Sequence, residues 1–122
     1  MSAAECRRRD MEALLERKRY DAAVYFGGYV IECFLKYAIT VRQNVGKLPA
    51  DCEHHNLDNL AASAFPSLQW LTHLRANGGF SQLSDQWNPD LRYLPDRFSA
   101  AKAKEFCILV GLVHSQLKEL LQ

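Results

Sequence analysis

The stretch from Tyr20 to Arg42 constrains this chain more than any other, because its apolar residues return with a helical period around most of the circumference. At about 100° per residue, Ala23, Phe26, Val30, Phe34, Tyr37 and Val41 share one side, and Val24, Ile31, Cys33 and Leu35 fill the flanks. Tyr25, Tyr29, Glu32 and Lys36 fall within a single narrow band. A helix wet on so narrow a stripe is the central helix of a small bundle. Two readings of the stripe are open: the last solvated edge of the helix, or the wall of a site.

The remaining segments are also helical in pattern. Ser2 and Glu5 have the spacing of a capping box, which predicts a first helix running to about Lys18 with Met11, Leu14 and Leu15 inward. Asp21 is placed to N-cap the second helix. The turn between the two is then short enough for an antiparallel hairpin. Gly27-Gly28 sits inside the second helix at a cost of about 1 kcal/mol per glycine relative to alanine, which marks a close helix crossing or a bend. Asn44 to Pro49 ends that helix. A short helix is expected over about Leu57 to Ala64, and another from Pro66 to about Ala76 with Leu68, Leu71 and Leu74 inward. Phe80 to Pro95 reads as irregular and aromatic, and a long last helix runs from about Ser99 to Leu121. No segment alternates as a strand does. The expected fold is all-α: an antiparallel bundle of four main helices, with a short extra helix in the middle connection, in one domain over residues 1–122.

Composition narrows the function. With 15 basic and 14 acidic side chains the net charge is +1, so no global field draws the chain to nucleic acid or to a membrane. No uninterrupted apolar run approaches the ~20 residues needed to span a bilayer. The arginines at positions 7 to 9 are not followed by the apolar segment of a signal peptide, so a cytoplasmic protein is expected. Cys6, Cys33, Cys52 and Cys107 form no CxxC pair and are expected as free thiols, with Cys33 and Cys107 in apolar helical patterns.

Two constellations could carry chemistry. One is the row itself, where Glu32 precedes Lys36 by four residues; an exposed pair of this kind is worth only about 0.3–0.5 kcal/mol, so stability is a weak reason for it. The other is Trp87-Asn88-Pro89-Asp90-Leu91-Arg92-Tyr93-Leu94-Pro95-Asp96-Arg97. Arg92 and Arg97 could grip phosphates through their planar forks while Tyr93 or Trp87 stacks on a base. Equally, Trp87 and Tyr93 could plug the end of the bundle while Arg92 pairs with Asp90 or Glu32. Cys52, His54 and His55 are too few for a metal site and read as loop residues with a capping role. His73 and His114 stand alone on helices as surface or core-edge residues. The basic clusters of the first helix are interleaved with acids and read as a solvated face. No glycine-rich phosphate loop is present, and no cofactor is signalled.

Taken together, the motifs resemble the HEPN-domain superfamily of small helical proteins. Arg19-Tyr20-Asp21-Ala22-Ala23 and Gly28-Tyr29-Val30-Ile31-Glu32-Cys33-Phe34-Leu35-Lys36 are similar to its R-Y-x-x-A … E-x-x-L-K pattern. His55-Asn56-Leu57-Asp58-Asn59-Leu60 resembles the H-x-L-x-x-L element that follows, and Asp90-Leu91-Arg92-Tyr93 a segment before the last helix. The resemblance implies a homodimer, often encoded beside a minimal nucleotidyltransferase in a toxin–antitoxin pair. Some members are metal-independent ribonucleases that carry an arginine, four to six residues and a histidine near the last helix. None of the nine arginines of this chain is followed by histidine at that spacing. The expectation is therefore a non-catalytic module that binds nucleotide, RNA or a protein partner through Tyr29, Glu32, Lys36, Arg92, Tyr93 and Arg97. The alternatives are a ribonuclease toxin with a divergent site built on Arg92, Arg97 and His114, and a structural accessory subunit.

Overall fold

The structure, a computed structural model, describes residues 2–67, 72, 79–93 and 97–122, with the side chains of residues 92 and 93 outside the description. Among these the fold is all-α, with no strand. Helix α1 spans Ala3–Glu16, α2 Tyr20–Gln43, α3 Leu57–Ala64, α4 Gly79–Gln86 and α5 Ala100–Leu121. Short 3-10 turns cover Ala50–Cys52 and Pro89–Tyr93. Over the described part of the segment expected to be irregular, residues 80–93, helix α4 and the second 3-10 turn are formed. Phe80 and Leu83 are buried on α4, two anchors three residues apart and too few to reveal a helical period. The helix expected from Pro66 to Ala76 lies largely outside the described residues.

The capping box at the start of α1 is formed as its spacing requires: Glu5 N donates to Ser2 Oγ, and Ser2 N to Glu5 Oε2. At the other end, Arg19 N donates to Leu14 O and Lys18 N to Leu15 O around Lys18 at φ 63°. This is a Schellman turn with lysine where glycine is usual. It folds α1 back along α2, so that Met11 meets Gly27 while Ala4 and Phe34 wall one cavity. Contacts between α2 and α5 climb in the same direction along both helices, from Gly27–Phe106 to Phe34–His114.

Helix α2 is the centre of the fold and packs against α1, α3, α5 and the Pro89–Tyr93 turn. The two glycines have separate reasons. A Cβ at Gly27 would come within 3.0 Å of Phe106 and 3.1 Å of both Met11 and Val110, which is the close helix crossing. A Cβ at Gly28 would overlap the Trp87 indole. By length and composition α2 could also cross a membrane, although Glu32 and Lys36 interrupt its apolar run; 61% of its most apolar window is buried inside the protein. Its far end departs from the expected inward side: Tyr37 and Val41 are 55% and 47% exposed.

Candidate functional site

The polar row of α2 is the seam on which the chain's loops dock. At its N-terminal end Asp21 does not cap α2, whose N-cap Arg19 makes no side-chain bond. The Asp21 carboxylate instead accepts from the backbone amides of Arg97 and Phe98, at 3.0 and 2.8 Å. Sequence spacing could not show this, because the acceptor and its donors are 76 and 77 residues apart. One turn on, the Trp87 indole N–H donates to the Tyr25 carbonyl at 3.0 Å, with its ring laid over Gly28. Tyr25 and Tyr29 are half-buried; the Tyr25 hydroxyl donates to that of Tyr29 at 3.1 Å, and the rings meet edge to face. Tyr29 also meets the rings of Trp87 and His55 edge to face, at 5.3 and 6.1 Å. An aromatic wall thus joins α2, the end of α4 and the loop before α3.

Glu32 is the buried member of the row, with its side chain 5% exposed. A lone carboxylate at that depth would be costly, and such charges persist only when paired and hydrogen-bonded. Both oxygens are bonded. Oε2 accepts from the Lys36 ammonium at 3.2 Å, and Oε1 from His55 Nδ1 at 2.8 Å. The stripe is therefore not a plain solvated edge at Glu32. His55 was not legible as a site residue beyond the H-x-L-x-x-L element, since it reaches Glu32 across the loop that follows α2. Its neighbours in sequence serve locally: His54 Nδ1 accepts from the Asn56 amide, and Asn56 caps α3 through the Asn59 amide. Lys36 remains 24% and His55 51% exposed, so both cation-capable groups reach the surface from one buried anchor.

Of the residues singled out in the sequence, Tyr29, Glu32 and Lys36 come together with His55 and Trp87. The backbone of residues 89–93 packs against α2, and the backbone of Arg97 is tied to Asp21. The side chains of Arg92 and Tyr93 lie outside the described residues, including the suggested Arg92–Glu32 pairing. His73 lies outside them too. The interleaved charges of α1 pair as expected, Arg7 with Asp10 at 3.2 Å and Arg8 with Glu12 at 3.6 Å.

His114 differs most from expectation. It is neither on the surface nor at the core edge but 1% exposed, on the opposite side of α2 from Glu32 and edge-on to Phe34 at 5.4 Å. Its place in the apolar stripe of α5, four residues after Val110 and three before Leu117, was the available signal. Burial, aided by the charges of Lys118 and Arg8, lowers its pKa from 6.5 to about 4, so the ring is neutral at pH 7.

No protein-family model, curated protein or solved structure matches this chain.

Proposed function

We propose that the chain is a non-catalytic, HEPN-like binding module whose Tyr29–Lys36–His55 face takes the base and phosphate of a nucleotide or of single-stranded RNA. One observation carries the reading: the buried Glu32 carboxylate holds Lys36 and His55 side by side at the rim of an aromatic wall. Donors of this kind suit a phosphate, and a tyrosine beside them suits a stacked base. Glu32 and His114 are poorly placed to move protons at this face. Glu32 is enclosed with both oxygens bonded, and His114 is buried on the far side of α2. Arg92, Tyr93 and Arg97, which the sequence reading includes in the site, have their described backbone on α2: residues 92 and 93 in the turn packed against it, and the Arg97 amide bonded to Asp21.

The same proposal extends to assembly: a homodimer acting beside a nucleotidyltransferase, as the resemblance implies, in the cytoplasm. Ile108 and Leu112, one turn apart on α5 and each 66% exposed, are supporting apolar surface.

Fluorescence anisotropy with a labelled single-stranded oligoribonucleotide tests the binding reading. Saturable binding is expected, with the logarithm of affinity falling by about 0.7 per phosphate contact for each tenfold rise in salt. Lys36→Ala is expected to remove one such contact, and Tyr29→Leu to weaken binding by about tenfold, in line with the loss of one base stack. Binding that ignores salt and both substitutions would overturn the site, and cleavage of the oligonucleotide by the wild-type protein would overturn the non-catalytic reading.

A further inference from the structure

Across α2 from the polar row, the start of α1, the middle of α2 and the end of α5 line a partly open cavity of about 400 Å³. Its body is apolar, formed by Ala3, Ala4, Phe34 and Tyr37, with Cys33 beside them. Its size falls in the range of small-molecule pockets. The polar groups at its margin are Ser2, Glu5, Lys118 and His114.

His114 makes this more than a gap between helices. Arg8 Nη1 lies 3.3 Å from His114 Nδ1. Because a guanidinium only donates, Nδ1 must be the acceptor, and in the neutral ring the proton then sits on Nε2. That Nε2–H is buried and has no hydrogen-bond partner among the described residues. A buried donor left unsatisfied is costly, and a ligand acceptor would remove that cost. The rest of the margin favours the same kind of ligand. Lys118 supplies a positive charge, and the first-turn amides of α1 lie ahead of its first intrahelical bonds, at the positive end of the helix dipole. Against these stands Glu5, which the Ser2 amide holds in its charged form, so the negative end of a ligand must lie on the His114 and Lys118 side of the margin.

We propose that this cavity binds a small monocarboxylate with an apolar body. The body lies against Phe34 and Tyr37, and the carboxylate accepts from His114 Nε2–H and from Lys118. The site is separate from the nucleotide face and does not depend on it.

The probe is phenylacetate, titrated into protein labelled with ¹⁵N at histidine, with phenethylamine as the control of similar shape and opposite charge. The free protein is expected to show His114 as the Nε2–H tautomer, and phenylacetate to shift that ring signal saturably. Lys118→Ala, a substitution of a half-buried residue near the end of α5, is expected to weaken binding by about tenfold, as for the loss of one charge-assisted bond. His114→Phe is expected to abolish it; if that variant does not fold, Lys118→Ala still decides. An unmoved ring signal at millimolar phenylacetate, equal binding of phenethylamine, or an unchanged affinity in Lys118→Ala would each overturn the proposal.

Discussion

Trp87→Ala is expected to lower the free energy of unfolding by about 3–5 kcal/mol, the usual cost of truncating a buried tryptophan. The indole is 4% exposed, and it does three things at once. It covers Gly28, donates to the Tyr25 carbonyl, and meets Tyr29 edge to face. Removing it opens a cavity against α2 and detaches the end of α4 from the central helix. Urea unfolding followed by circular dichroism measures the change. The companion variant approaches the same contact from the other side. Alanine is the better helix former by about 1 kcal/mol, yet Gly28→Ala is expected to destabilise by about 1–3 kcal/mol, because its methyl group must displace the indole. With Trp87 already truncated, the same methyl group has room and should be neutral or stabilising. The two changes are therefore expected to be strongly non-additive. Additive effects would show that the indole does not rest on Gly28.

Acid should destabilise the fold through His114. Its folded pKa of about 4 lies below the ordinary 6.5, so between these values the unfolded chain binds a proton that the folded chain refuses. Stability must then rise with pH across that window. The contribution is fully present above pH 6.5 and is lost as pH falls towards 4. At about 1.4 kcal/mol for each tenfold difference in proton affinity, the whole effect is on the order of 3 kcal/mol. Carboxylates titrate in the same region, so the informative quantity is the difference from His114→Phe, which keeps an aromatic ring against Phe34. Unfolding curves from pH 4 to 7 should show the wild type losing stability faster than the variant on acidification. Parallel curves would mean that the imidazole is not held neutral by burial.

Local rules located most of the helices. The ends of α1, α3 and α5 follow from side chains within three residues of the amides they cap: Ser2 with Glu5, Asn56 with Asn59, and Ser99 with Lys102. The body of α2 follows from its apolar period. Helix α4 was missed because its eight residues offer only Phe80 and Leu83 as buried anchors, too few for a period to emerge. Asp21 illustrates a different limit. Aspartate at a helix start is a correct capping signal, but the amides of residues 97 and 98 compete for the same oxygens and win, being held against α2 by the rest of the fold.

The candidate site divides in the same way. Tyr25, Tyr29, Glu32 and Lys36 were visible as one row because helical geometry alone places residues three and four apart on one face. Whether that row faced water could not be read from it, since burial depends on what packs over it. His55 and Trp87 come from segments 23 and 55 residues beyond Glu32, and only the packed chain brings them to the row. His114 makes the same point in reverse. Its sequence neighbours placed it on a helix, but α1 and α2 closing around it determined that it is buried and neutral with an unsatisfied N–H. By itself the sequence determined an all-α chain with a central apolar helix marked by one polar stripe, because these depend on periodicity and on caps within one turn. The tertiary structure decided that Glu32 is a buried anchor for Lys36 and His55, and that a separate cavity lies behind it, because burial and long-range pairing exist only once distant segments are packed together.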